Sequence, residues 1–384
     1  MYPLIWFFRR GLFVLNGFVL GIAGMSYALP VSRAAEVSGG FVLVQQEQAV
    51  TQVKPGQGDE VLFQSQQPHE AIEWAMTHSS ITVVTEGTYT LSAHISIPHP
   101  NVSLVIAENA KLVTAKGAKV INVTEKHGNY YPLIHNAGHN HVNVINLGTL
   151  NPSAHLPHDG QVNNVCIIYD GRNGGDNGIE GGMIFSSGQL LTDGDAVWIV
   201  DSKNVRVPLI WCRSTGNTLA IEGSDDLSIG TVAELNIEGR PTGKGRKGNE
   251  AIDLNSFCRR IHCDLAIGTA VMEETVDINN SPNCTFEDVR AYGRGRTFRE
   301  RVYPPTGRRL TQKAYIDHSD GTIVKKEEND RSKILKAWET EFKVQDLLAN
   351  LPVITVKAKL TAIFENSPKE ELLNKTYTLD LTVK

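Results

Sequence analysis

The chain has 384 residues, of which 41% are hydrophobic, so it can form one large repeat fold or two ordinary domains. Its formal charge of −5 is mild for that length, and nothing in the charge or composition indicates a nucleic-acid partner. An odd number of cysteines with no Cys-x-x-Cys pair argues against a zinc cluster and a disulfide framework; the five are Cys166, Cys212, Cys258, Cys263 and Cys284. We expect small buried apolar side chains, with one disulfide at Cys258, Cys263 or Cys284 as the alternative.

The first 34 residues have the features of an export signal. An apolar start is followed by Arg9-Arg10 and by the apolar run from Gly11 to Leu29. Ser32 and Ala34 place small residues at the two positions that signal peptidase reads, so we predict a signal peptide over 1–34 and a secreted or periplasmic protein. The run is also long enough for an uncleaved membrane anchor, and only in that case do we expect contact with a membrane.

Residues 35–66 are rich in Gln, Gly and Val without a clear period, which predicts a linker. The segment from Pro68 to His78 predicts a short helix instead. Pro68 suits a first helical turn, and the apolar residues fall on one face: Ala71, Ile72, Ala75 and Met76. We expect this helix to cover the N-terminal end of the fold that follows.

Short strands continue from Ile95 to Leu150, and a clear repeat runs from Gly194 to Gly293. Four strands in this repeat each lead into a polar turn; they are Trp198-Ile199-Val200-Asp201-Ser202, Ala220-Ile221-Glu222-Gly223-Ser224, Ala251-Ile252-Asp253-Leu254-Asn255-Ser256 and Thr275-Val276-Asp277-Ile278-Asn279-Asn280-Ser281. A second short strand follows each of them; these are Val205-Arg206-Val207, Leu227-Ser228-Ile229, Ile261-His262-Cys263 and Cys284-Thr285-Phe286. The pattern of strand, polar turn and strand is typical of a β solenoid.

The spacing of the repeat supports this interpretation. Asn204 and Asp226 are 22 residues apart, and Arg260 and Asn283 are 23 apart. The longer interval of 34 residues between Asp226 and Arg260 is explained by a Gly- and Lys-rich loop at 239–248. We therefore predict an all-β, right-handed parallel β-helix over residues 67–310, and we expect a monomer.

The C-terminal part, residues 311–384, predicts a helix followed by a β-hairpin. Residues 337–351 fit an amphipathic helix. The remaining apolar residues alternate as in two strands with one buried face; they are Ile354, Val356, Ala358, Leu360 and Ala362, and Tyr377, Leu379, Leu381 and Val383. This part is either a small α/β cap on the C-terminal end of the solenoid or an appended unit.

Three phrases carry a resemblance to a known superfamily. "PLIHNAGHNHVNVINLGTLN" resembles the first coils of the pectin-degrading β-helix proteins, and "NEAIDLNS" and "EETVDINNS" resemble the acidic coil of pectate lyases and of related alginate and chondroitin lyases. The resemblance covers the architecture from about Glu70 to Tyr292. It implies a parallel β-helix that cleaves an acidic, uronate-containing polysaccharide by β-elimination.

The repeat contains two carboxylate pairs, Glu250 with Asp253 and Glu274 with Asp277. Residues three apart in a strand point to opposite faces, so each pair must straddle a bend to reach one site. Asp253 and Asp277 stand between inward-facing aliphatic residues, and we place Glu222 in their column one coil earlier. Stacked carboxylates about 4.8 Å apart repel one another, and calcium would stabilise them. The alternative is a solvated acidic ladder paired with nearby lysine and arginine residues.

The lyase resemblance implies a basic residue that removes a proton from the sugar ring. Arg259, Arg260 and Arg290 are closest in register to the acidic coils, and Arg246 and Lys247 lie on the inserted loop with Lys244. The Arg-x-Pro-x-x-Arg motif of pectate lyases is absent, so the choice among these residues stays open. Each of them is also compatible with an ordinary solvated charge.

Two further functions compete with the lyase. The residues Thr192-Asp193-Gly194-Asp195 resemble the Asn-Thr-Asp motif of polygalacturonase-type hydrolases, although Asn217-Thr218 stands where that family has its Asp-Asp pair. A simpler interpretation of Asp193-Gly194 is a turn. A non-catalytic carbohydrate-binding solenoid is the third function, because a fold alone does not imply activity. We expect Tyr130, Tyr131, His135 and His139 to line a sugar groove, with Arg246 of the inserted loop also binding substrate.

Overall fold

The computed structural model describes residues 40–124, 128–156, 162–173, 178–213, 216–235, 250–255, 257–269, 274–292, 296–301, 323–329 and 332–382. The predicted signal peptide therefore lies outside the described residues. The protein is mostly β, with large parallel sheets. Within the described ranges, no helix is long and apolar enough to cross a membrane.

The first half of the chain contains one helix, one 3-10 turn and the strands of the first coils. The helix is α1 (Pro68–His78), the 3-10 turn is Gly171–Asn173, and the strands are β1 (Val42–Glu47), β2 (Val50–Pro55), β3 (Phe63–Ser65), β4 (Ile81–Val84), β5 (Gly87–Leu91), β6 (Ile95–Ser96), β7 (Ser103–Ile106), β8 (Ala110–Thr114), β9 (Ile121–Thr124), β10 (Gly128–Asn136), β11 (Val142–Asn146), β12 (Thr149–Asn151), β13 (Val162–Asp170), β14 (Ile179–Glu180), β15 (Gly182–Ser186) and β16 (Gln189–Leu190).

The second half contains the strands of the later coils and a C-terminal sheet. These strands are β17 (Val197–Val200), β18 (Ser202–Lys203), β19 (Arg206–Cys212), β20 (Leu219–Glu222), β21 (Ser228–Glu234), β22 (Ile252–Asn255), β23 (His262–Gly268), β24 (Glu274–Asn279), β25 (Thr285–Ala291), β26 (Arg296–Arg301), β27 (Ile323–Val324), β28 (Glu327–Glu328), β29 (Leu335–Val344), β30 (Val353–Phe364) and β31 (Glu370–Asp380), with helix α2 (Leu347–Asn350) after β29.

The chain returns to the same three sheets in turn. Sheet 1 has the order β27-β25-β23-β21-β19-β15-β11-β7-β4-β1-β2-β3, sheet 2 the order β26-β24-β22-β20-β17-β13-β10-β6, and sheet 3 the order β16-β12-β8-β5. Each coil runs from sheet 1 through sheet 3 to sheet 2 as far as β17. Beyond β16, the described residues add no strand to sheet 3, and the chain passes from sheet 1 to sheet 2 directly. These parallel returns indicate a solenoid-like arrangement.

The register predicted from the repeat is confirmed except between β20 and β22. In sheet 2, Trp198 pairs with Ala220 and Asp253 with Asp277 as predicted, but Ala220 pairs with Asp253 and not with Ala251. In sheet 1 the second strands pair as predicted: Arg206 with Ser228, Ser228 with His262, and His262 with Thr285. The interior between the sheets is filled by the aliphatic residues on the other side of each strand, such as Ile221, Leu254 and Ile278, which are fully buried.

The turn before each strand of sheet 1 has left-handed backbone geometry. The turn residues that set the period of the repeat all have positive φ: Asn204 at 55°, Asp226 at 57°, Arg260 at 53° and Asn283 at 58°. Asn and Asp tolerate this region better than most residues, which explains their recurrence at the turn. Earlier coils use Asn101, His141 and Gly181 for the same turn.

The segment predicted to be a linker is part of the fold instead. β1 pairs with β4 in parallel, and β2 and β3 extend the same sheet in antiparallel fashion. Val42, Val44 and Val53 are fully buried, and Tyr89 donates a hydrogen bond to the carbonyl of Val44 at 2.9 Å. Val42 and Val44 face the interior core and Leu43 faces the opposite side, so this segment has the period of two of a strand.

Helix α1 has the predicted bounds, and its four predicted apolar residues are fully buried. They pack into the interior core together with residues of β1, β2, β4, β5 and β6. Glu73 accepts a hydrogen bond from the backbone nitrogen of Ser96 at 2.7 Å, which ties the helix to sheet 2. The helix therefore packs against the first coils, as expected of a cap.

His94 lies close to this helix and is half-buried. Its ring centroid is 5.8 Å from that of His135, and its Nε2 lies 3.0 Å from the hydroxyl of Ser96. Burial, with a smaller contribution from His135 and His69, lowers the pKa of His94 from 6.5 to about 4. In the folded protein its imidazole is therefore neutral under conditions where an unfolded chain would charge it.

We expect the protein to lose stability through His94 as the pH falls from 6.5 to about 4. In that window the unfolded chain binds a proton at His94 and the folded chain does not, so protons favour unfolding. Thermal melting should show a weaker pH dependence for His94→Gln than for the wild type. His155→Gln, at an exposed histidine, should keep the wild-type dependence. Identical pH profiles for His94→Gln and the wild type would contradict this role.

The C-terminal segment differs from its prediction in two respects. The segment 337–351, predicted as a helix, is the strand β29 followed by the short helix α2. Trp338 and Phe342 alternate toward the protein and Glu339 and Glu341 toward solvent, and this period of two is a strand pattern. The predicted hairpin is confirmed as β30 and β31, with Ile354 opposite Leu379 and Val356 opposite Tyr377.

The resulting three-stranded sheet packs along the side of sheet 1 and does not cap the end of the coils. Apolar residues of sheet 1 and of the C-terminal sheet form one cluster that includes residues from Leu43 in the first strand to Tyr292 after β25. Phe185 contacts Tyr377 and Tyr292 contacts Trp338, in both cases with ring centroids 5.6 Å apart. This part of the chain is therefore an appended sheet, and the coils themselves continue to β28.

All five cysteines are buried thiols, and none forms a disulfide with another. Cys258 occupies a turn position at which other coils have a serine. At this turn the backbone N–H of Ser202 donates to the hydroxyl of Ser224 at 3.1 Å, and the backbone N–H of Cys258 donates to the hydroxyl of Ser281 at 3.2 Å. Burial raises the pKa of Cys258 well above its usual value, so this thiol is unreactive in the folded protein.

Candidate functional site

A bend at the start of β22 and β24 brings both predicted carboxylate pairs to the outer face of sheet 2. Ala251 and Ile252 are consecutive in sequence and both face the interior, so Glu250 turns outward beside Asp253. In the next coil, the oxygens of Glu274 and Asp277 lie within 4.8 Å of each other and of an oxygen of Glu250. The exposed fractions of these three residues are 4% for Glu250, 3% for Glu274 and 2% for Asp277. We call these three residues the acidic triad.

Asp253 lies next to the acidic triad and accepts hydrogen bonds from three asparagine side chains. Asn255 and Asn217 donate to its Oδ2 at 2.8 and 3.2 Å, and Asn279 donates to its Oδ1 at 3.5 Å. Three amide donors stabilise the ionised carboxylate. Asp253 is therefore held in place by Asn255 of its own strand and by one residue from each neighbouring coil.

The triad and its surroundings fit a hard divalent cation. Buried like charges at this distance need compensation by positive charge, by hydrogen bonds or by protonation. Oδ1 of Asn217 and Oδ1 of Asn279 are buried oxygens that accept no hydrogen bond in the structure. Carboxylate and amide oxygens are the ligands that calcium takes, at flexible geometry. Glu250, Glu274 and Asp277 are the residues that would hold the ion.

Glu222 does not lie in the column where the sequence analysis placed it. It pairs with Asn255 on one side and with Val200 on the other. The residue in register with Asp253 is Ala220. The sequence alignment therefore placed β20 two positions out of register with β22. In the structure Glu222 is the last residue of β20, whereas Asp253 is the second residue of β22.

Two of the predicted basic residues, Arg290 and Arg260, are paired with carboxylates outside the acidic triad. Arg290 lies in sheet 1, where it pairs with Asp288 at 2.8 Å and with Glu370 of the C-terminal sheet at 3.8 Å. Arg260 lies in a turn and is bound to Asp226 through two hydrogen bonds. Arg259, next to it, is exposed. Arg246 and Lys247 lie outside the described residues.

The register of β26 points to a basic residue that the sequence analysis did not select. Arg299 pairs with Asp277, and Arg301 pairs with Asn279. Their positions follow from the same repeat, one coil beyond the last that was aligned by sequence. The alignment stopped at Gly293 because the segment from Arg294 onward reads as a basic stretch and not as a strand.

The predicted groove residues divide among three environments. Tyr130 lies on the outer face of sheet 2 and stacks on Trp198 with ring centroids 4.8 Å apart. Tyr131 is fully buried in the interior core and cannot line an outer groove, because neighbouring strand residues face opposite sides. His139 exchanges hydrogen bonds with the side chain of Asn136 in a turn, and burial followed by the charge of His99 lowers its pKa.

His135 belongs to a second polar group on the same face of sheet 2. Its Nε2 lies 3.9 Å from Oδ2 of Asp170, a fully buried carboxylate. Arg172 donates to both oxygens of Asp170, at 2.7 and 3.0 Å, and its guanidinium lies 5.1 Å from the ring centroid of Trp198. Burial opposes the ionisation of Asp170, but His135 and Arg172 together hold its pKa below the usual value. Arg172 is not among the residues predicted from the sequence to form the site.

The two polar groups are connected along one face. Trp198, Ala220, Asp253 and Asp277 are consecutive register partners in sheet 2, and adjacent strands are about 4.8 Å apart. Trp198 therefore lies about 10 Å from Asp253 along the sheet. The outer face of sheet 1 is covered by the C-terminal sheet, so of the two large sheets it is sheet 2 that carries the candidate site.

The hydrolase-like motif serves as a turn in this structure. Asp193 accepts hydrogen bonds from the hydroxyl of Ser153 and from the side-chain amide of Asn164, both at 2.7 Å. Thr192 donates to the carbonyl of Asn164. These contacts link neighbouring coils and occupy the carboxylate that a hydrolase would need as an acid or a base.

The chain matches no family model and no curated protein sequence. Among solved structures it is similar to ORF18 of Geobacillus virus E2, with 10% sequence identity over 83% of this chain and 74% of that chain and a TM-score of 0.26. A similarity of this size assigns neither fold nor function.

Proposed function

We propose that the protein is an exported right-handed parallel β-helix enzyme that cleaves an acidic, uronate-containing polysaccharide by calcium-assisted β-elimination. The observation that supports this most directly is the acidic triad on the outer face of sheet 2, with the buried amide oxygens of Asn217 and Asn279 beside it. The proposed substrate is a polymer, because the face continues along the stacked coils from the triad to Trp198.

The acidic triad by itself repels an anionic sugar. A bound calcium ion would neutralise the uronate carboxylate and acidify the proton on the adjacent ring carbon. In the elimination, a basic side chain takes that proton, the electron pair forms a carbon–carbon double bond, and the bond to the glycosidic oxygen on the next carbon breaks. We assign the basic role to Arg299 from its backbone register with Asp277. Lys247, which lies outside the described residues, is the alternative.

The convergence of three carboxylates favours a cation site over glycoside hydrolysis, which uses a pair of carboxyl groups in distinct roles. The hydrogen bonds that engage Asp193 argue in the same direction.

The proposal is tested by ultraviolet absorbance of the mature chain with polygalacturonate, alginate and glycosaminoglycans, in calcium and then in chelator. Elimination leaves an unsaturated sugar end that absorbs, so we expect absorbance to rise on one polymer and to stop when chelator is added. New reducing ends without absorbance would establish hydrolysis instead. Polymer binding without either product would establish a carbohydrate-binding solenoid.

A further inference from the structure

We infer that the side-chain oxygens of Asn217 and Asn279 are cation ligands, and that Asp253 positions them without binding the ion. The inference rests on the cation site of the proposed function, but it does not depend on which reaction the site performs. It gives Asp253 a different role from Glu250, Glu274 and Asp277.

The acceptor capacity of Asp253 is largely used within the protein. A carboxylate offers about four lone-pair positions on its two oxygens. The amides of Asn217 and Asn255 both donate to Oδ2, and Asn279 donates to Oδ1. A cation bound at Oδ2 would compete with two of these donors. Asp253 is therefore better suited to orient the amides than to act as a ligand.

Orientation by Asp253 leaves the amide oxygens available. An amide group is planar, so an amide whose nitrogen donates to Asp253 directs its oxygen elsewhere. Oδ1 of Asn217 and Oδ1 of Asn279 are both buried and accept no hydrogen bond, and Asn279 is only 8% exposed. Buried polar atoms in native proteins have partners, so each of these oxygens requires an explanation.

Their position beside the acidic triad supplies that explanation. Asn279 follows Asp277 by two residues on β24 and so lies on the same face of the sheet. Asn217 precedes Thr218, whose backbone nitrogen donates to the carbonyl of Glu250 at 3.0 Å. With the three carboxylates, these two amides would supply five oxygen ligands, and calcium takes about six to eight. Water would complete the shell.

The experiment is calorimetric titration of the full chain with calcium chloride alone. We expect Asn279→Ala and Asn217→Ala each to weaken calcium binding about tenfold or more, the size of effect that follows loss of a partner in a metal site. Asn255→Ala is the matched control, because it also removes one hydrogen bond to Asp253 but no buried unpaired oxygen. It should change the affinity less than about threefold. Asn279→Asp, which restores an oxygen, should recover much of the loss seen with Asn279→Ala.

Three results would decide the inference. Equal losses for Asn279→Ala and Asn255→Ala would overturn it, because the amides would then act only through Asp253. Absence of calcium binding by the folded wild type at millimolar concentration would also overturn it. The expected binding pattern in a protein that cleaves no uronate polymer would support the inference and refute the proposed reaction. Thermal melts of all variants verify that each one is folded.

Discussion

Replacing Val356 with aspartate should lower the free energy of unfolding by about 4 kcal/mol or more. Val356 is fully buried in the cluster between the C-terminal sheet and sheet 1, with Val344 and Tyr377 as its cross-strand neighbours. Aspartate at this position would bring a charge into an apolar layer that offers it no partner among the cross-strand neighbours. Urea unfolding followed by tryptophan fluorescence measures the change.

The adjacent residue provides the control for this prediction. Lys357 points to solvent, so Lys357→Asp introduces the same side chain one position away and should change stability by about 0.5 kcal/mol or less. If the C-terminal sheet were an independent domain, Val356→Asp would unfold that sheet and leave the coils at wild-type stability. A single transition at lower urea for Val356→Asp and near-wild-type behaviour for Lys357→Asp would verify the packing described here.

Replacing Asp277 with asparagine should reduce polymer cleavage at least 100-fold, which corresponds to about 2.7 kcal/mol of transition-state stabilisation. The change keeps the shape of the side chain and removes one carboxylate oxygen and its charge from the acidic triad. We expect calcium affinity to fall in parallel, because cation affinity follows the number and charge of the ligands. Initial rates of absorbance increase at saturating calcium, together with calcium titration, measure both effects.

The control for Asp277 is an aspartate of sheet 1. Asp264 is about half exposed and lies within 3.7 Å of Lys375, so Asp264→Asn changes the net charge equally without touching sheet 2. It should leave cleavage and calcium affinity unchanged. If Asp277→Asn altered only the melting temperature, the acidic triad would be a structural ladder, which is the alternative that the sequence left open.

Local patterns in the sequence were sufficient for the repeat and for the elements whose apolar residues follow one period. The alignment predicted the pairing of Trp198 with Ala220 and of Asp253 with Asp277 in sheet 2, because these strands place their aliphatic residues inward at a fixed offset. Helix α1 was predicted with its bounds, because a proline at its start and an apolar stripe determine both ends of the pattern. The four-residue strand β20 was too short to fix its own alignment, so Glu222 was misplaced.

Other features depended on contacts that are distant in sequence. In β1, two consecutive glutamines interrupt the alternation of apolar and polar residues, so the strand was not recognised. In β29 the alternation is present, but the leucines that follow the strand complete a helical pattern. Nothing in the sequence of β30 and β31 indicates which surface covers their apolar side.

Within the repeat from Gly194 to Gly293, the sequence alone determined which aliphatic residues face inward and which coil follows which, because both depend on local alternation and spacing. The tertiary structure decided that the C-terminal sheet covers sheet 1, that Arg290 therefore lies away from the acidic triad, and that three amides converge on Asp253. The physical reason is that these contacts join segments far apart in the chain, and their geometry depends on how the coils stack and on which apolar surfaces bury each other.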